Sequence, residues 1–409
     1  MNEYDLAVVG GGASGLFAAL RASEQGCRVL ILEAADRVGK KLITTGNGQG
    51  NVTSALPLSP SRYHGKDPAF CLPALNAFDN ERAREVFRAL GLLTVAEDER
   101  VFPLSKQAGS LVDVLRFALE TRGVTVRTGV GVTRAVRQKN GFLIHARSGE
   151  TFSARALLLA TGGKCAPTSP DYGAGYEIAR AFGHTITPLF PSLVQLRADM
   201  KEARVLKGIR ADVRLTLSDP DRVYFSQIGE ILFCDYGISG KIVFAGSSYV
   251  ADRSFRNLTA HVDFFPDFSR AELENLLAER AAAFPALPTE RLLLGAAKSQ
   301  VARAVLGRAA LVPKTIGELS PDERARTVSV CKDFSLPLLG AYSFDTAQVT
   351  RGGIETKDVD PFTMMSKKCP DLYFSGEILD VDGDCGGFNL QWCWSSAEAV
   401  AKSVAGGRA

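Results

Sequence analysis

Gly10, Gly12 and Gly15 stand in G-x-G-x-x-G spacing, and a carboxylate, Glu33, follows roughly 20 residues later. These residue types can hold a dinucleotide. Gly10 allows a tight turn, Gly12 lets backbone approach a pyrophosphate, and Gly15 lets a helix pack close to a strand. Glu33 can accept from ribose hydroxyls, and its charge disfavours a 2′-phosphate. The elements that must position them are legible around them. Leu6-Ala7-Val8-Val9 reads as a buried parallel strand. An Ala-rich helix pattern runs to about Gln25, Gly26 stops it, and Arg28 to Leu32 reads as a second strand ending in Glu33. The helix N-terminus supplies N–H donors and partial positive charge for phosphates.

Three further stretches have ligand-facing composition. Residues 39–53 hold four glycines and two asparagines, with Lys40 and Lys41, and predict a loop whose N–H groups face a ligand. Thr161-Gly162-Gly163 ends an apolar strand, Ala156 to Ala160, as a second point of backbone approach. The tail from Leu372 to Ser375 reads as a strand. A glycine- and acid-rich loop follows, then a helix from about Phe388 to Val404 whose N-terminus Gly386 and Gly387 set against a ligand. Asp380, Asp382 and Asp384 alternate as in a calcium loop, but Cys385 and Gln391 occupy the positions that need Gly and Glu, so no metal is expected.

Composition narrows the class. The 409 residues are 46% apolar and carry a net charge of +3, which argues against a dedicated nucleic-acid or anionic-membrane surface. No apolar run approaches the ~18 residues of a membrane span. The eight cysteines form no C-x-x-C pair and the four histidines no cluster, a pattern of reduced thiols in the cytoplasm. Expected partners are therefore a small-molecule substrate, with no nucleic acid and no membrane.

Along the chain, residues 76–122 read as helices, and Val124 to Arg127 and Val130 to Val136 as strands. Asn140-Gly141 is a type I′ hairpin signal before Phe142 to Ala146. From 188 to 247 the texture is β, with Val213, Leu215 and Leu217 alternating and Ile242 to Ala245 read as a strand. From 248 to 330 it is helical, with capping boxes at Ser269 to Glu272 and Ser320 to Glu323. β texture returns over 331–350. The α/β nucleotide domain is thus expected at 1–187 and 351–409, around an inserted β domain (188–247 and 331–350) that carries a small helical domain (248–330).

With these residues assembled, the chain resembles the two-dinucleotide-binding-domain flavoproteins, and more closely the HI0933-like or BaiN-like bacterial flavoproteins, some described as aminoacetone oxidases. The resemblance rests on GGGASG at 10–15, GKKLITTGNGQGN at 39–51, LLLATGGK at 157–164, GYEIARAFGHTITPLFPSLVQL at 175–196, GEILFCDYGISG at 229–240, VTRGGI at 349–354 and SGEILDVDGDCGGFNLQW at 375–392. It implies bound FAD in a Rossmann-like domain closed by the C-terminal strand and helix. Carried onto this sequence, Gly10, Gly12, Ala13, Ser14 and Gly15 would hold the pyrophosphate and Glu33 the ribose. Lys41, Gly46 and Asn51 would follow the middle of the cofactor, Val130 the adenine, and Thr161 and Gly162 the phosphate side. Gly376, Glu377, Asp384, Gly386, Gly387, Phe388, Asn389 and Leu390 would surround the ribityl chain and flavin, with Gly352 and Gly353 near the ring. The chain departs from the family pattern at Gln49 and Gly50, where the family has Arg-Cys, and at Ala174, where it has Asp.

The leading reading is an FAD-dependent oxidoreductase acting on a small organic molecule by NAD(P)H-linked reduction of an activated C=C bond. The alternatives are an O₂-dependent amine oxidase of the aminoacetone type, and an RNA-modifying or non-catalytic flavin protein. Only one complete G-x-G-x-x-G unit is present and no redox C-x-x-C, so electrons come from the substrate or from transient NAD(P)H binding. Tyr236, Arg351 and Cys385 are the candidate catalytic side chains.

Overall fold

The apolar run that opens the sequence forms the centre of a parallel sheet. The computed structural model describes residues 3–165 and 173–407, and divides into two compact units, Met1–Pro191 with Gln348–Ala409, and Ser192–Ala347. In the first, strand Tyr4–Val9 lies between Val29–Glu33 and Thr151–Leu159 and runs parallel to both. Leu6, Ala7 and Val8 have no exposed surface, the burial expected of a strand covered on both faces. Thr125–Thr128 extends the sheet beyond Val29–Glu33. On its other edge Thr151–Leu159 splits its pairing. Its first half joins strand Gly141–Ala146, antiparallel, and Leu157 to Leu159 join Leu372–Phe374, parallel. The tail strand thereby enters the sheet made by the N-terminal half.

Helix Ala13–Glu24 packs along the C-terminal helix Phe388–Gly406. Phe17, Phe87 and Trp394 interlock between them, with Phe17 and Trp394 ring centroids 5.3 Å apart. The Trp394 indole N–H donates to Val52 O at 2.8 Å, which satisfies its buried polar atom.

The second unit is a closed barrel ordered Leu196–Ala198, Gly237–Ser239, Val223–Phe233, Arg210–Ser218, Thr259–Asp263, Phe334–Ala341. Val213, Leu215 and Leu217 point into its core, as their alternation predicts. Helices Arg270–Ala283, Ser299–Arg308 and Pro321–Lys332 lie between its last two strands in sequence, and both capping boxes form.

Several local expectations are corrected. The helical texture over 248–330 includes a barrel strand, Thr259–Asp263, whose Ala260 and Val262 face inward in a two-residue period. Barrel and helices fall in one compact unit, Ser192–Ala347. Ile242 to Ala245 is not a strand but part of helix Lys241–Val250. The β-branched pair reads as strand, yet Gly246 fits the helix against the barrel: a Cβ there would lie 2.9 Å from Leu217 Cδ1. Thr94–Glu97 and Arg100–Pro103 form a hairpin inside the stretch read as helical. The turn before Gly141–Ala146 is centred on Lys139-Asn140, one residue early, because Gln138 pairs with Gly141. Among the described residues no helix is long and apolar enough to cross a membrane.

Two consequences are measurable. A Cβ on Gly15 would sit 1.9 Å from Gly10 O, backbone that cannot yield. Gly15→Ala is therefore expected to cost at least ~1–3 kcal/mol, read as a lowered denaturation midpoint. His184 is buried against Phe374, its Nε2 bonded to Ser366 Oγ at 2.7 Å and its Nδ1 unpartnered among the described residues. Burial lowers its pKa from 6.5 to about 4. The neutral ring is the folded form, so stability is full above about pH 6.5 and declines as pH falls toward 4. His184→Gln should flatten that acid limb in a series of denaturation midpoints.

Candidate functional site

The glycine turn and Glu33 form one hydrogen-bonded unit. Gly10 has φ +108°, and a Cβ on it would meet Ala160 O at 2.5 Å, so turn and neighbouring strand end are in contact. Glu33 Oε2 accepts from Gly11 N–H at 2.7 Å and Oε1 from Ala35 N–H at 2.8 Å. The carboxylate is 9% exposed. It therefore braces the turn from behind. Val130, expected on a strand, precedes strand Val132–Gln138; its N–H donates to the main-chain carbonyl of Glu33 at 2.9 Å.

The residues present fit FAD. Helix Ala13–Glu24 opens at Gly12 with no side-chain cap, and nothing lies within 4 Å of a Cβ built on Gly12. Such uncapped N–H groups would suit a pyrophosphate. The same openness surrounds Gly162, at φ +72°. Beside it Thr161 Oγ1 is buried with no partner among the described residues. The Ser14 hydroxyl is bonded to the Ser375 hydroxyl.

The tail loop is fixed by polar contacts that sequence spacing could not reveal. Asp382, fully buried, accepts from Arg351 Nε at 2.5 Å and from Arg351 Nη2 at 3.1 Å. Asp384 accepts from or pairs with His64 Nε2 at 2.8 Å and lies 3.4 Å from Arg62 Nη1. Asp380 is buried, and burial raises its pKa. Asn389 closes the loop through Gly383, donating to its carbonyl at 2.7 Å and accepting from its N–H at 2.8 Å. With its amide oriented to suit its neighbours, Asn51 accepts from Gly387 N–H at 2.9 Å. Gly387, at φ +103°, sits so close to Thr53 that a Cβ would be 2.3 Å from its carbonyl carbon. The N-terminus of helix Phe388–Gly406, including Leu390, is thereby placed by the loop at 39–53.

Several of the expected positions also make close contacts within the chain. Lys41 Nζ is 2.6 Å from Glu377 Oε2, and Glu377 Oε1 accepts from Thr350 N–H at 3.0 Å; the two charges pair with each other. Lys40 likewise pairs with Asp36 at 2.6 Å. Gly352 and Gly353 are required by close backbone approach, to Pro188 O and Ile378 O respectively. Gly376, at φ +77°, packs on Ser14, and Gly46, at φ +57°, on Asn51. Gly386 takes φ +128° ahead of Phe388, which is buried. At Gly50 a Cβ would lie 2.7 Å from Ala108 Cα, which accounts for glycine where the family has Cys. Arg351 is buried and bidentate, so it positions the loop. Cys385 accepts from Arg100 Nη2 at 3.7 Å. Tyr236 belongs to the barrel unit.

Glu33→Ala removes the expected ribose acceptor and both backbone bonds. It is expected to weaken FAD binding about tenfold to a hundredfold, matching ~1.5–3 kcal/mol for a charge-assisted bond, in a titration of apoprotein with FAD. An unchanged dissociation constant would place the ribose contact elsewhere.

A model of the HI0933-like protein Rossmann domain matches residues 4–403. The chain is 33% identical over 405 residues to the 3-dehydro-bile acid delta(4,6)-reductase of Clostridium scindens, covering 98% of each chain. It is 28% identical over 407 residues to the ribosomal RNA dihydrouridine synthase of Escherichia coli, covering 99% of this chain and 98% of that one. Among solved structures, a 3-ketosteroid delta1-dehydrogenase from Sterolibacterium denitrificans aligns over 100% of both chains with a TM-score of 0.50 and 14% identity, a likeness of fold alone. With the cradle, the braced carboxylate and the tail loop in place, the chain belongs to the HI0933-like family of flavoprotein oxidoreductases.

Proposed function

We propose that this protein is an FAD-dependent reductase of a C=C bond conjugated to a carbonyl group in a small ring compound, with NAD(P)H as transient electron donor. The observation that carries the reading is the 33% identity over 98% of both chains to a 3-dehydro-bile acid delta(4,6)-reductase. The second reading, reduction of uridine in ribosomal RNA, is favoured by the two dihydrouridine synthases at 28% and 27% identity. The two readings share a reaction class, because dihydrouridine is uridine with a ring C=C next to a carbonyl reduced. The near-balanced charge of +3 supports the small molecule, since backbone binding of RNA rests on clustered Lys and Arg. The absence of C-x-x-C supports a diffusible donor over an internal dithiol.

Bound FAD would supply hydride transfer between donor and substrate. This chain's residues do the rest. The uncapped N–H groups after Gly12 would neutralise the pyrophosphate. Glu33 orients the adenosine end. Helix Phe388–Gly406 presents its positive N-terminus at the tail loop, where added negative charge on a bound ring is stabilised. The Arg351–Asp382 pair holds that loop without moving when charge arrives.

Anaerobic titration tests this. Purified protein should release FAD on denaturation, and NADH or NADPH should bleach its visible band. A steroid 4-en-3-one should then restore colour with saturated product formed. Recovery only with uridine-containing ribosomal RNA selects the second reading. Bleaching by aminoacetone with peroxide formed in air would overturn both in favour of an amine oxidase.

A further inference from the structure

The resemblance puts Asn51 along the middle of the cofactor, yet the hydrogen bonds of its side chain are made inside the chain. Asn51 is buried. With its amide oriented to suit its neighbours, its two N–H groups donate to Thr53 O at 2.9 Å and Val101 O at 3.1 Å, and its oxygen accepts from Gly387 N–H at 2.9 Å. A carboxamide has two N–H donors, so neither is left for a ligand.

The next two residues hold the same helix. Val52 O accepts from the Trp394 indole N–H at 2.8 Å, and the Thr53 hydroxyl donates to Gln391 Oε1 at 2.6 Å. The partners Gly387, Gln391 and Trp394 stand at i, i+4 and i+7, one face of helix Phe388–Gly406. Three consecutive residues thus grip one stripe of the helix, which fixes its rotation and its advance along its axis. The grip is stiff, because Thr53 is paired with Val101 in a sheet and the Gly387 backbone lies directly against Thr53.

The first N–H groups of a helix have no partner inside it. Asn51 takes that of Gly387. Those of Phe388, Asn389 and Leu390 have no acceptor among the described residues, and the Asn389 side chain is closed on Gly383. Hydrogen bonds weaken steeply with angle, and the helix dipole acts only within its first turn. A small rotation or withdrawal of this helix would therefore change what these N–H groups can stabilise.

We propose that Asn51 is a positioning residue that touches no cofactor atom and acts through Gly387. It sets the aim of the Phe388, Asn389 and Leu390 N–H groups, and with it the electron affinity of the bound flavin. The proposal deepens, and rests on, the reading of this helix start as the place where negative charge arriving on the ring is stabilised.

The test uses holoprotein and three readouts that need no turnover: the FAD dissociation constant, the denaturation midpoint, and the flavin midpoint potential against a reference dye. Asn51→Ala should lower the ratio of reduced to oxidised flavin at fixed poise about tenfold, a shift of about 30 mV to the negative side for a two-electron couple. Thr53→Val, a milder change in the same grip, should shift the ratio about threefold in the same direction, and it decides the matter where Asn51→Ala retains no FAD. Trp394→Phe loses its bond two turns along the helix and should lower the denaturation midpoint with the potential unchanged. Leu390→Asp puts a carboxylate at the helix start and should shift the ratio in the direction of Asn51→Ala. A ratio within twofold of wild type in Asn51→Ala with FAD retained overturns the positioning role; if Leu390→Asp is then unshifted as well, the reading of the helix start falls with it. Loss of FAD from Asn51→Ala with Thr53→Val at the wild-type potential assigns Asn51 to the cofactor and overturns the proposal. A shift in Trp394→Phe equal to that in Asn51→Ala marks general loosening of the helix and overturns it too. The expected shifts in a protein that reduces no ring enone support the positioning role and overturn the reductase reading alone.

Discussion

The approach of the first helix to the first strand is the constraint on which the cofactor unit depends. Gly15 lies so close to Gly10 O that no side-chain carbon fits between them. That contact fixes the angle at which helix Ala13–Glu24 leaves the sheet. It sets the direction of the uncapped N–H groups at its start and the position of the turn against Ala160. Glu33 then locks the turn by accepting from Gly11 and Ala35. A residue expected from its spacing to accept from a ligand is thus part of the scaffold.

The C-terminal segment completes the unit by a similar economy. Helix Phe388–Gly406 packs on the first helix and seats its N-terminus on the loop at 39–53. The Thr53 hydroxyl donates to Gln391 Oε1 at 2.6 Å, and Gln391 Nε2 donates to Phe78 O at 3.0 Å. The loop before the helix is held by Arg351 and Asp382, both buried. A buried ion pair adds little net stability over an apolar pair, because desolvation offsets attraction. Its value here is geometric. Only one register of the loop gives the guanidinium both carboxylate oxygens.

Much of this was legible beforehand, for identifiable reasons. The glycine spacing, the apolar strand and Glu33 are local in sequence, and each role follows from a backbone requirement. The capping boxes at Ser269 and Ser320 span four residues each and formed as read. The misreadings came where local preference and packing disagree. Ile242 and Val243 favour strand by β-branching, but Gly246 lets a helix lie against Leu217 and Phe225. Thr259–Asp263 is short and sits among helices, so its alternation was outweighed by its surroundings.

The sequence by itself determined the α/β class, the glycine turn after the first strand and the inserted β unit. Those depend on periodicity, on glycine's missing Cβ and on charge. Tertiary structure alone decided which charges neutralise one another. Lys41 meets Glu377, His64 meets Asp384, and Arg351 meets Asp382 across 31 to 336 residues of chain. It also brought Tyr236 to Tyr342. No residue type or local spacing encodes such pairings. They exist only once strands have taken their register and the chain ends have returned to one sheet, because Coulomb and hydrogen-bond energies act over a few ångströms of space and are indifferent to distance along the chain.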